Sequence, residues 1–103
     1  MTKKIKNIHP GEVLKEEFLI PMNISVYKLA KETRLSQTRL WQIIRGERSV
    51  TAETAIKLGK FFSFEPEFWL NLQNYYDIEE SKKIFAKDLK SIQSIQELGL
   101  IQA

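Results

Sequence analysis

Residues 25–48, SVYKLAKETRLSQTRLWQIIRGER, read as two short helices joined by a tight turn, the second carrying polar and basic side chains. Leu29 and Ala30 in the first helix, Leu35 in the turn, and Leu40 and Ile43 in the second are spaced to face inward. Ala30 is small enough for two helix axes to approach ridge into groove, where a bulkier side chain would hold them apart. Ser25 and Ser36 precede the two helices, and each can accept from an otherwise unpaired backbone N–H as an N-cap. This is the layout of a helix-turn-helix reader of double-stranded DNA.

The outward side of the second helix is left with Gln37, Thr38, Arg39, Gln42 and Arg45. A major groove can use all of them: Gln pairs with adenine, Arg with guanine, and Thr meets a thymine methyl or a phosphate. Charge agrees. The stretch holds Lys28, Lys31, Arg34, Arg39, Arg45 and Arg48 against Glu32 and Glu47, while the whole chain is only +3. A basic reader in a near-neutral body is the footprint of a specific DNA binder more than of a histone-like coat.

With 103 residues, 43% of them hydrophobic, the chain suits one domain whose core is large enough to fold without staples. It has no cysteine, which removes disulfides, thiolate metal sites and cysteine nucleophiles together. His9 is the only histidine and has no carboxylates at metal-ligand spacing, so no metal and no cofactor are expected. No stretch approaches the roughly 20 apolar residues of a membrane span. The basic start MTKKIKNIHPGE is not followed by an apolar run long enough for a signal peptide, and a cytoplasmic protein is expected. Alternation of period two never persists and no internal repeat is found, so the expected fold class is all-α.

Residues 1–8 are expected to form a flexible arm, residues 9–77 the DNA-binding domain and residues 78–103 a helical extension. Pro10 opens helix one, where its missing N–H costs nothing, and Glu12 falls in the first turn. Val13, Leu14 and Phe18 give the inward side, and Pro21 is expected to stop the helix. Glu12, Glu16 and Glu17, with Lys15 among them, read as a solvated face and not as a catalytic cluster. Asn23 suits the left-handed backbone of a tight helix-to-helix connection.

Gly46 stands where a residue just past a helix end is wanted. Thr51 or Ser49 can cap a fourth helix over 52–62, in which Ala55, Leu58, Gly59 and Phe62 recur at helical spacing. Gly59 costs about 1 kcal/mol against alanine inside a helix, and close packing of another helix is the expected reason. Pro66 starts a fifth helix that runs to about residue 76 and is rich in large rings. A small bundle should not absorb all of them, so Phe68, Trp69, Leu72, Tyr75 and Tyr76 are expected to form a homodimer interface. Phe85, Leu89, Ile92 and Ile95 then make an amphipathic stripe before Gly99, which can pack on its own bundle, extend the dimer contact or hold a partner.

Three segments, HPGEVLKEEFL, YKLAKETRLSQTRLWQIIRGERSVTAETAIKLGKFF and EPEFWLNLQNYYD, resemble in order and spacing the HigA (VapI-like) branch of the XRE helix-turn-helix family over roughly residues 9 to 78. The resemblance implies a five-helix phage-repressor-like domain, here with an additional C-terminal helix. It also implies a homodimer that binds its own operator and captures a HigB-type toxin similar to RelE-type messenger-RNA interferases. Carried over residue by residue, Gln37, Thr38, Arg39 and Gln42 are the base-contacting positions, with Ser25, Lys28, Ser36, Arg45 and Arg48 nearer the DNA backbone.

Three positions depart from the family pattern. Arg34 stands in the turn where relatives mostly have glycine, so either its backbone accepts an unfavourable angle or the turn differs. Val26 replaces a phosphate-touching glutamine. Trp41 stands where relatives often have a small or polar residue, and it can pack on the neighbouring helix or stack on sugar and thymine methyls.

The residues do not separate an antitoxin from a stand-alone repressor of phage or mobile-element type with no toxin. An interaction module that has lost its DNA role is a third reading. An enzyme is not expected, because Ser36 is explained as a cap and His9 has no acidic orienter.

Overall fold

The computed structural model describes residues 6–101, and among them the chain is all-α, with six helices. Helix α1 comprises the consecutive pieces Pro10–Val13, Leu14–Leu19 and Ile20–Met22, the middle one π-helical. Helix α2 is Val26–Thr33, α3 Gln37–Ile44, α4 Ala52–Phe62, α5 Pro66–Ile84 and α6 Ala86–Ser91. Five helices form the domain, and α6 is the additional C-terminal one.

Helix α1 starts as its sequence directs, with Pro10 in its first turn and His9 as N-cap, the ring Nδ1 accepting from the Gly11 N–H at 2.9 Å. Pro21 does not stop it. The helix runs one residue further, and the Ile20 N–H bonds to the Lys15 carbonyl five residues back. That wider register relieves the crowding a proline ring causes in an α-helical turn. The stop comes from Asn23, which is left-handed at φ 54°, while the Asn23 and Ile24 N–H groups donate to the Ile20 and Leu19 carbonyls at 3.1 and 2.9 Å.

The core gathers Leu14, Phe18 and Leu19 from α1, Leu29 and Ala30 from α2, Leu40 and Ile43 from α3, and Ala55 and Leu58 from α4, closed by Trp69 of α5. Trp69 is 0% exposed, which overturns its expected place at a dimer surface. Its ring centroid lies 5.2 Å from Phe18, 5.1 Å from Phe68 and 6.2 Å from Phe62. The bundle absorbs more aromatic surface than expected because rings from three helices interlock, most of them edge to face or tilted.

Thr51 occupies the N-cap of α4, but its hydroxyl lies 3.4 Å from that of Thr54 and takes no helix N–H. Close approach at Gly59 is real, although the neighbour is the chain returning from α4: a Cβ there would overlap the Phe64 carbonyl. Gln73, 4% exposed, accepts from the Val50 N–H at 2.8 Å and donates to Asp77 at 2.9 Å. It pins the loop after α3 to α5.

Helix α5 outruns the expected end near residue 76 by eight residues, so the boundary drawn at 77/78 falls inside it. No glycine or proline interrupts 67–84, and Glu79–Lys82 and Glu80–Lys83 ion pairs support the added turns. Phe85 breaks the helix and α6 follows, but everything from Ser81 to Ile101 is exposed. The stripe of Phe85, Leu89, Ile92 and Ile95 therefore does not pack on its own bundle. The radius of gyration, 18.1 Å, records this projection, since a compact chain of this length has about 13 Å. Of the expected arm, residues 1–5 lie outside the described residues, and Asn7 is tied down, donating to the Tyr76 carbonyl at 2.9 Å and to Glu80 at 3.0 Å.

Candidate nucleic-acid interface

Helices α2 and α3 each begin on a serine cap: Ser25 accepts from the Lys28 N–H and Ser36 from the Arg39 N–H, both at 3.0 Å. A hydroxyl used this way keeps its own proton to donate. Beneath the pair, Leu29, Leu40 and Ile43 are wholly buried, with Leu35 and Ala30 beside them. Thr33, also buried, donates to the Leu29 carbonyl at 2.6 Å. The turn keeps its left-handed step, for Arg34 sits at φ 62°, ψ 28°. A non-glycine residue there accepts a backbone cost on the order of 1–2 kcal/mol.

Gln37 and Thr38 project from the exposed first turn of α3, with Gln42 half-buried one turn on. Arg39 is different. Its side chain is 30% exposed, and its Nη1 donates to Glu53 of α4 at 3.1 Å. Lys28 pairs with Glu32 at 3.7 Å and Arg45 with Glu47 at 3.2 Å, whereas Arg48 is exposed and makes no ion pair among the described residues. Trp41, 43% exposed, borders an open groove of about 720 Å³ with Leu19, Ile20, Ile24, Val26 and Ile44. It lines this groove with a face left open to solvent.

The far end of α3 is held by α1. Gly11 packs against the Ile43 carbonyl so closely that a Cβ would overlap it. Gly46, at φ 76°, ends α3, with its N–H on the Ile43 carbonyl and the Glu47 N–H on the Gln42 carbonyl at 2.9 and 2.8 Å. The His9 ring lies beside Gly46 and edge-on to Tyr76, centroids 4.9 Å apart. Burial lowers the His9 pKa from its ordinary value, against a smaller opposing pull from Asp77. A neutral Nδ1 is what its cap to Gly11 needs.

Of the ring-rich α5 positions, Phe68 stacks on Phe64 at 5.1 Å, Leu72 and Tyr76 are half-buried, and Tyr75 is 66% exposed. Spacing within the reader did not disclose His9, Gly11, Gln73 or Glu53. The consecutive His-Pro-Gly ahead of an apolar helix is a signal for the first two, because it marks a cap, a first-turn proline and a residue without a side chain. No local signal marks Gln73 or Glu53.

A helix-turn-helix family profile matches residues 14–69. Virulence-associated protein I of Dichelobacter nodosus is 42% identical over 88 residues, covering 85% of this chain and 78% of its own length. A HigA-family addiction-module antidote protein from Coxiella burnetii superposes with a TM-score of 0.82 at 43% identity, covering 87% of this chain and 99% of that one. The Pseudomonas aeruginosa antitoxin HigA, solved with the higBA promoter, gives 0.83 at 34% identity, with the same coverage of 87% and 99%.

Proposed function

Because the chain belongs to the XRE-type helix-turn-helix family, in the branch of the HigA antitoxins, we propose that it is a sequence-specific DNA-binding antitoxin that represses its own operon and neutralises a HigB-type toxin. Gln37, Thr38, Arg39 and Gln42 meet base edges in the major groove, and Ser25, Lys28, Ser36, Arg45 and Arg48 meet phosphates. The observation that carries this reading is the division of α3: Leu40 and Ile43 are 0% exposed while Gln37 and Thr38, on the same two turns, face solvent.

A helix this short reaches few base pairs, so the chain acts as a homodimer on a palindromic operator with half-sites about 34 to 36 Å apart. Phe68, Leu72, Tyr75 and Tyr76 remain the interface candidates on α5, with Tyr75 the most exposed. The toxin is an RelE-like messenger-RNA interferase bound by protein–protein contact. The chain itself is no enzyme, needs no cofactor and works in the cytoplasm.

Co-expression with the product of the adjacent gene, followed by a footprint on the shared promoter, tests both halves. Co-purification and a protected palindrome are expected. A protected palindrome with no captured toxin reduces the function to a stand-alone repressor, and failure to shift any promoter fragment at low salt overturns the DNA-binding role.

A further inference from the structure

Arg39 does not stand alone on α3. Its Nη1 donates to Glu53 Oε1 at 3.1 Å, and the other oxygen of that carboxylate accepts from Lys57 Nζ at 2.7 Å. Glu53 lies in the first turn of α4, where the helix dipole favours an anion, and Lys57 lies one turn further along the same face. None of the three groups is deeply buried: the side chains are 30%, 54% and 34% exposed for Arg39, Glu53 and Lys57. Exposed pairs of this kind contribute little to stability. An acidic side chain bonded to a DNA-facing arginine also works against attraction to a polyanion, so neither folding nor simple affinity accounts for it.

We propose that Glu53 is a specificity-determining positioning residue, which holds the Arg39 guanidinium in one orientation for a base edge and withholds its charge from passing phosphates. The inference rests on the reading of Arg39 as a base contact. A free arginine samples many rotamers and finds a phosphate on any sequence, which adds affinity that is salt-dependent and blind to bases. Bonded to Glu53 through Nη1, Arg39 keeps its other N–H donors for a base. Less rotamer freedom is then lost on reaching that base, which favours the matched complex. The nearby carboxylate repels phosphates, which disfavours the unmatched one. Lys57 keeps the carboxylate from swinging away. Both effects raise the ratio of specific to non-specific binding.

The test titrates the full chain against a duplex from the promoter of its own gene and against the same duplex with its bases shuffled, over a salt series. Glu53→Gln is expected to bind the shuffled duplex several-fold tighter, with a log–log salt slope steeper by about 1. Promoter affinity stays level or falls, so the specificity ratio drops roughly tenfold, within what one bidentate base contact carries. The variant stays fully folded at the assay temperature, and in an Arg39→Ala background Glu53→Gln leaves the ratio where it was. Equal tightening on both duplexes, no change on either, or the same shift in the Arg39→Ala background would overturn the inference while leaving the DNA-binding function standing. A wild-type chain that does not distinguish the two duplexes overturns the function itself, and Arg39→Ala without loss on the promoter removes the base contact on which the inference rests.

Discussion

Gly11 at the start of α1 meets the backbone carbonyl of Ile43 in the last turn of α3, with no room between them for even a methyl group. The first helix is thereby a fixed stop against the end of the candidate recognition helix, backbone on backbone.

Gly11→Ala must move that carbonyl, because the obstacle is main chain and has no rotamer to change. A loss of about 1 to 3 kcal/mol, the usual range for overpacking, is expected in denaturant unfolding. Since the displaced atom belongs to α3, promoter affinity should fall even at temperatures where the variant is fully folded. An unchanged unfolding midpoint would show that the two helices are free to separate.

His9 makes stability depend on pH. Its pKa is lowered in the folded chain, chiefly by burial, so the unfolded chain binds the proton more readily. The contribution of the neutral ring is complete above about 6.5, the ordinary histidine value, and is lost as pH falls through the folded value. Protonation at Nδ1 also removes the acceptor that caps Gly11. Thermal melts should show stability declining below about pH 6.5. In His9→Asn, which keeps a capping oxygen without a titrating ring, that part of the decline should vanish.

Arg34, left-handed at φ 62°, is strained where glycine would not be. Arg34→Gly should stabilise the domain by up to about 1 kcal/mol, the relief at the left-handed position being partly offset by a floppier unfolded chain. A lower melting temperature in the variant would mean that the arginine side chain gives more to the fold than its backbone costs.

Arg39 and Arg48 should separate by what they read. Arg39→Ala is expected to cost about 1 to 3 kcal/mol at a matched promoter site and to relax base preference there. Arg48→Ala, removing an exposed cation without an ion pair among the described residues, should weaken all duplexes alike and flatten the salt dependence by about 0.9 in log–log slope. Salt-series titrations of both variants against matched and shuffled duplexes make the comparison. Equal losses on both duplexes for both variants would contradict the roles assigned.

Much of this architecture is legible along the chain because it is governed within a few residues. Ser25 and Ser36 cap the helices they precede, Asn23 and Gly46 adopt the left-handed backbone their positions call for, and Leu29, Leu40 and Ile43 turn inward as their spacing requires. Pro21 misleads as a stop because the π-helical turn ahead of it, a departure from the regular period, makes room for the ring. The end of α5 misleads for the opposite reason. Tyr76 looks like a terminus only because the aromatic run ends there, while the helix-forming residues continue.

Capping, helical period and the sign of the local charge are properties of near neighbours, and residues 25–48 state them without help from the rest of the chain. The inward turn of Trp69 depends on Phe18 and Phe62 arriving from other helices. The seat of Gly11 on Ile43, the tie from Gln73 to Val50 and the hold of Glu53 on Arg39 likewise join residues far apart in sequence. Burial and ion pairing are settled by which surfaces meet once the helices pack, and no spacing within a single helix carries that information.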